Sequence, residues 1–409
     1  MTANGLTLCA ISRKVDSTQA AEPAASEPYA HHPERTKGDD MWRNVFAAAV
    51  VLTSIACTDA DTVTSPRPDG SGHAAASAAT CSLEQGQQLI DAAQYSKAIR
   101  EFTCVIDLDQ TAVEGYRGRI EAALLLGRYS DAQRDYARVT AFVLPVHPDA
   151  ELVILAGYDA RLALRPNEIA ALVGKTFAFW YFFNYPAAIH VADELLEVQP
   201  TNVFGNLFRG STRLLHGSAR AAGAADLARA IALAPGSPDV RWIVADAYTY
   251  GYLPDPQRAF DEATRALQGG LDTPRVHAIL GASYLAFGSM AAAATQIGIH
   301  IDQVTTELVS APPLAARRST TLGFVPGRTY EIPIAAAAGE KVSIATSSKD
   351  YFDTIVVLLA PDGTPLVGGD DFKGYFAGFD WVAPAAATYR LRVTFFESII
   401  TGSVVVARN

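Results

Sequence analysis

The stretch HAILGASYLAFGSMAAA, His277 to Ala293, decides the fold of the larger part of the chain. Leu280, Gly281 and Tyr284 fall at helical spacing before Gly288, and Ala293 follows it, so the stretch reads as two helices folded back across a short turn. Working outward, the same arrangement recurs in degraded form. Ser82 to Asp107 offers Gly86, Tyr95, Ala98 and Phe102, and Tyr116 to Val139 offers Gly127, Tyr129, Ala132 and Tyr136. Leu172 to Pro200 offers Phe179, Tyr185, Ala188 and Pro200, while Leu207 to Pro235 offers Leu227, Ala230 and the closing proline. The period is about 34 residues. Small Gly and Ala let two helices approach closely, and Tyr or Phe fills the gap to the next hairpin, so no hairpin buries its apolar face alone. The endings LEVQPTN (196–202) and IALAPGSPD (231–239) place a proline after one unit and an Asn, Ser or Asp where it can cap the next helix. Ala150 to Leu164 reads as an extra helix between units, and Gly251 to Gln257 loosens the fifth; the count is about five or six.

This period and these residues resemble the tetratricopeptide repeat, most closely over His277 to Ala293. The resemblance implies an array over 81–305 whose first helices line a concave groove for a peptide or partner helix. In that register the groove-facing candidates are Arg117, Glu121, Phe177, Trp180, Phe208, Thr212, Trp242 and Asp246. FAFWYFFNY, Phe177 to Tyr185, holds more aromatic rings than one helix face can bury, and it reads either as core or as groove lining.

Helical periodicity stops after about Val309, where APPLAARRST (311–320) reads as the end of a linker over 306–320. Short strands follow at Thr329 to Ile334, Lys341 to Thr346, Thr354 to Ala360, Gly378 to Val382, Thr388 to Phe395 and Gly402 to Ala407, with PDGT (361–364) turning one into the next. The 321–409 segment is therefore expected to be an all-β sandwich. AGEKVSIAT (338–346), FDTIVVLLAPDGTPLVGGDD (352–371) and FDWVAPAAATYRLRVT (379–394) stand in an order that resembles the bacterial pre-peptidase carboxy-terminal domain. The chain departs from that pattern at Tyr330-Glu331-Ile332-Pro333 and at Ala386-Ala387. The resemblance implies a jelly-roll-like sandwich of the kind appended to secreted hydrolases and surface proteins. Asp353, Asp370 and Asp371, with Asp362 nearby, read either as calcium ligands, which some relatives of that domain carry, or as solvated turns. Tyr351, Phe352, Phe372, Tyr375, Phe376 and Phe379 are candidates for a polymer-binding face, or core.

The amino-terminal part reads differently. MWRNVFAAAVVLTSIAC, Met41 to Cys57, has the positive start and short apolar run of an export signal, with residues 1–40 as a leader that precedes the natural start and 58–80 as a Gly/Pro/Ser-rich tether. Ala56 before Cys57 resembles a lipobox, which makes Cys57 the lipidation candidate; simple cleavage near Ala56 and an uncleaved anchor are the alternatives. Cys81 and Cys104 are expected either to pair, in an exported chain, or to be two buried thiols.

With 409 residues, 49% hydrophobic and 19% charged, the chain has the length and composition of a multidomain α + β protein: an all-α helical hairpin array followed by an all-β jelly-roll-like sandwich. The net charge of -10 argues against a nucleic-acid partner. The chain contains no HExxH, GxSxG, P-loop or GxGxxG, and its eight histidines are scattered, so no catalytic residue is expected and no cofactor apart from the calcium alternative. The expectation is an exported, non-catalytic scaffold in the periplasm or at the outer envelope or cell surface. It would hold a protein or peptide partner, with membrane attachment through the lipid; the alternative is an accessory or diverged secreted hydrolase. Oligomeric state is not legible.

Overall fold

The computed structural model describes residues 81–143, 150–217, 219–349, 353–370, 376–396 and 401–409. The leader (1–40), the export segment (41–57) with Cys57, and the tether (58–80) lie outside the described residues.

Thirteen helices among the described residues form six hairpins and one insertion. The hairpins are α1 (Leu83–Asp91) with α2 (Tyr95–Leu108), α3 (Val113–Leu126) with α4 (Tyr129–Val143), and α6 (Ile169–Tyr181) with α7 (Tyr185–Val198). They continue as α8 (Val203–His216) with α9 (Arg220–Leu233), α10 (Pro238–Tyr250) with α11 (Pro256–Gln268), and α12 (Pro274–Ala286) with α13 (Met290–Val304). The insertion is α5 (Ala150–Leu164), with the bounds its apolar pattern predicts. Helix starts are fixed locally: Asn202 accepts from the amide of Gly205 at 2.8 Å, Asp255 from that of Arg258 at 3.1 Å, and Pro stands in the first turn of α10, α11 and α12.

The array winds tightly. Tyr129 on α4 meets the rings of Phe204 and Phe208 on α8 edge-on at 5.9 and 5.5 Å, and Tyr136 meets Phe177 on α6 at 5.3 Å. The amide of Ser130 donates to Asp239 at the start of α10 at 2.8 Å, so α4 reaches three hairpins beyond its own. Helix α5 lies across α3 and α6. Gly174 on α6 has no room for a Cβ because the ring of Tyr158 on α5 occupies that place.

Nine strands among the described residues make two sheets, one ordered β1-β3-β8-β5-β6 and the other β2-β9-β4-β7. Their ranges are β1 (Glu307–Ser310), β2 (Arg318–Phe324), β3 (Arg328–Ala336), β4 (Lys341–Ser347), β5 (Thr354–Leu359), β6 (Pro365–Asp370), β7 (Gly378–Val382), β8 (Ala387–Phe395) and β9 (Gly402–Arg408). Ile332, Ile334, Leu391 and Val393 of the first sheet face Leu322, Val342, Val404 and Val406 of the second, which gives the sandwich its own core.

The expected linker over 306–320 is a correction. Glu307–Ser310 pairs in parallel with Arg328–Glu331, the amides of Ala311 and Leu314 donate to Glu331 and Pro333 carbonyls at 2.9 and 3.0 Å, and both side chains are buried in the sandwich core. Arg318–Ser319–Thr320 opens β2. The chain therefore passes from α13 into the sandwich with no free segment.

Helix α13 packs on the outer face of β5 and β6. Ile355, Val357 and Leu359 point outward from β5 onto Ala278, Ala294, Ile297 and Ile301, while Val356 and Leu358 point into the sandwich. This is why every residue of TIVVLL is buried, the pattern of a strand covered on both faces. Polar contacts rim the seam: Arg392 on β8 bonds Asp302 on α13 at 2.6 Å, and the Thr305 and Thr329 hydroxyls are 2.6 Å apart. Arg275 lies over the rings of Tyr250 and Phe396 at 4.5 and 4.9 Å. No helix among the described residues is long and apolar enough to cross a membrane.

Candidate functional site

The eight residues expected to line a concave groove are, with one exception, interior. Phe177, Phe208 and Thr212 are 0% exposed, Trp242 1%, Glu121 1%, Asp246 3% and Trp180 8%. The expectation that they face an open groove is corrected, and the reason is the tight winding: α4 and α5 close over the first helices, and their aromatic rings fill the space a ligand would take. Phe208 meets Phe177 and Trp180 edge-on at 5.4 and 5.2 Å, and Phe177 meets Trp180 at a tilt at 5.5 Å. FAFWYFFNY is thus mainly core, although Phe183 is not.

The polar members are tied to helices. The Thr212 hydroxyl donates to the Phe208 carbonyl, and Asp246 accepts from Arg275 Nε at 2.7 Å. Glu121 accepts both its bonds from Arg161 Nη1 on α5 at 2.6 Å. Burial pushes the Glu121 carboxyl up to about 7, against the pull of the Arg161 guanidinium. Arg117, the exception, is partly exposed, pairs with Glu114 at 3.9 Å and lies against Gly157 of α5. Arg117 and the Glu121–Arg161 pair hold the insertion onto the array.

Cys81 and Cys104 form a disulfide with Cα atoms 5.8 Å apart, tying the start of α1 to the middle of α2. Burial raises the Tyr250 phenol, and Asp370 and Asp353 of the sandwich lie close enough to add to that rise; Asp371 falls outside the described residues. No group of three or more His, Cys, Asp or Glu side chains is arranged to hold a metal ion among the described residues. Asp362 instead closes its own turn, accepting from the Thr364 amide at 2.9 Å. Of the candidate polymer-binding aromatics, Phe379 is core, Phe376 is half-buried, and Tyr351, Phe352, Phe372 and Tyr375 lie outside the described residues.

What the array does expose is its turn edge. The exposed aromatic side chains among the described residues are Phe183, Tyr252 and Phe287, at 55%, 62% and 42%, and all three lie in turns inside hairpins. Leu253 and Met290 are exposed beside them. The turns are linked: Phe183 meets Tyr185 at 6.1 Å, Tyr185 meets His216 at 6.3 Å, and the next turn, Gly217, lies against Tyr252. Gly217 has φ 75, and a side chain there would strain the backbone and displace Tyr252. The Arg220 guanidinium donates to the Leu253 carbonyl and fixes that loop. At the last hairpin, Phe287 meets Phe260 of α11 at 5.8 Å. A groove-centred register misses this edge. Its signal is that Phe, Tyr and Leu occupy turn positions where Gly, Asn, Asp and Ser are usual.

The geometry defines a tetratricopeptide-like helical array with a β-sandwich fused to its last hairpin. No family model matches the chain, and no curated protein matches it. Among solved structures it is similar to a tetratricopeptide repeat protein from Parabacteroides merdae, at 16% identity over 55% of this chain and 78% of that one, with a TM-score of 0.32. It is also similar to the pre-peptidase C-terminal domain of collagenase from Bacillus anthracis, at 13% identity over 25% of this chain and 95% of that one, TM-score 0.22. MamA from Desulfovibrio magneticus is a third, at 16% identity over 47% and 94%, TM-score 0.29. These are likenesses only.

Proposed function

We propose that this chain is a non-catalytic scaffold that holds a protein or peptide partner along the turn edge of its helical array. It acts at the bacterial cell envelope, attached through the region before residue 81, with the sandwich as an accessory binding domain. The observation that carries the reading is that all three exposed aromatics among the described residues lie in turns inside hairpins, while the positions expected to line a groove are, Arg117 apart, buried against the array's own side chains. Aromatic residues held by rigid neighbours are the side chains that contribute most to protein interfaces. A filled groove leaves the edge as the apolar surface of the array that carries such residues.

Site-specific photo-crosslinking in envelope preparations tests this. A crosslinking residue at position 252 or 287 should give a discrete adduct that Phe183→Ser weakens. Position 100, on the exposed side of α2, should not. Equal adducts from position 100, or turnover of broad peptide or glycoside substrates abolished by a single carboxylate change, would replace the scaffold reading.

A further inference from the structure

At one end of the sandwich the chain enters β2 through Arg317 and Arg318. In the register of the second sheet, Arg318 lies directly opposite Arg408 of β9, and the alternation that turns Leu322, Val404 and Val406 inward puts both arginines on the core-facing side at the open end of the sheet. Like charges directly across two strands repel. One of the pair is compensated: Arg408, only 3% exposed, donates Nη2 to Glu340 at 2.6 Å and Nη1 to the Leu314 carbonyl at 3.1 Å. Arg318 and its neighbour Arg317 make no ion pair and no side-chain hydrogen bond with any described residue. Arg317 is also held at φ 55, a left-handed conformation that a residue bearing a side chain adopts at a cost.

These arginines, with Ser319, Ala407 and Asn409, line a cleft of about 430 Å³. In a chain of net charge -10 it is a local concentration of positive charge with two guanidinium groups uncompensated. We propose that this cleft binds phosphate, free or as a monoester on a larger molecule. The number of acceptor oxygens favours phosphate among oxyanions. A phosphate monoester is charged about -1.5 to -2 at neutral pH and offers three acceptor oxygens, enough for both guanidinium groups to bond it, whereas a carboxylate offers two. Guanidinium forks bond such oxygens in pairs.

The test uses the full chain at fixed ionic strength, titrated calorimetrically with inorganic phosphate and then with a sugar phosphate against the same sugar lacking phosphate. Both phosphate forms should bind with dissociation constants on the order of a millimolar or tighter, and the free sugar should not bind. Binding of the ester alone assigns the source as an ester; binding of inorganic phosphate alone assigns it as the free ion. Arg317→Gly relieves the left-handed backbone, so it should melt no lower than the wild type and still bind phosphate several-fold more weakly. Arg317→Ala with Arg318→Ala should lose at least about tenfold, a change of about 1.4 kcal/mol. Lys349→Ala, at the far end of β4, should bind as the wild type does. The proposal is overturned if phosphate binds no better than chloride, if Arg317→Gly binds unchanged, or if Lys349→Ala weakens binding as much as the double variant.

Discussion

The first and last hairpins of the array each have a neighbouring hairpin on one side only, and the chain covers the open flank differently at the two ends. At α1–α2 the buried set is small, centred on Ile90, Ala98 and Phe102, and Leu83 and Leu108 remain exposed; the Cys81–Cys104 bond supplies what packing does not. At α12–α13 the flank is covered by β5 and β6, so Ile297 and Ile301 are as buried as residues in mid-array. Solenoids need their end repeats capped, because a hairpin cannot bury its outer face alone. Here one cap is a covalent cross-link and the other a whole domain. The sandwich is thereby part of the array's stability, whatever it binds.

The largest expected break in this comparison is Ile297→Asp, which places a carboxylate in the apolar seam. It should cost about 4 kcal/mol or more and lower the melting of array and sandwich together in calorimetry. Two separate transitions, with the array unaffected, would mean that the seam is not a shared core. At the other end, replacing Cys81 and Cys104 by Ser removes a cross-link spanning 23 residues, and the loss should be about 3 kcal/mol. Limited proteolysis should then cut first within 83–108, with the seam still protected.

A third difference is acid sensitivity. His300 on α13 stacks on Phe396 of the sandwich at 5.1 Å and bonds the Pro274 carbonyl at 2.8 Å; burial, with Arg275 nearby, lowers its imidazole to about 4. An unfolded histidine titrates near 6.5, so between there and about 4 the unfolded chain binds the extra proton. The stability from the neutral ring is full above 6.5 and falls as pH drops through that window, by on the order of 2 to 3 kcal/mol. His300→Gln should flatten the slope in urea unfolding at pH 7 and pH 4.5. Glu121 runs in the opposite direction: its raised carboxyl stabilises the protonated fold below about 4.5, and that contribution is lost as pH rises through about 7. Glu121→Gln separates the two. The smallest effect should come from Asp302→Asn, which weakens the rim pair to Arg392 and leaves Arg392 on Glu331. With Asp302 largely exposed, the loss should stay under about 1 kcal/mol in urea unfolding.

Local features of the sequence reach a long way into this fold. The extra helix over Ala150–Leu164 follows from its apolar pattern, and Gly378–Val382 from its turn signals. What fails is nonlocal. The linker reading of 306–320 treats Pro and Ala as loop residues, yet parallel pairing with β3 is made by a strand of only four residues that no period-2 pattern can announce. Polar β2 is hidden similarly by Arg318-Ser319-Thr320. The groove register identifies inward-facing positions on the first helices, and those positions, Arg117 apart, do face inward. It has no means of showing that Ser130 meets Asp239, 109 residues away, and closes the space. Phe183, Tyr252 and Phe287 were readable as apolar residues in turns, but their alignment along one edge depends on the winding.

The direct passage from α13 into β1 also has a geometric consequence. A partner on the turn edge and an anion in the arginine cleft would sit on one body with no slack between them. Two-site binding through a flexible connector averages over many separations, and its effective concentration falls as the connector lengthens. Here the spacing takes a single value, so a ligand bearing both groups gains avidity only when its own dimensions match, and the molecule would measure length as well as chemistry.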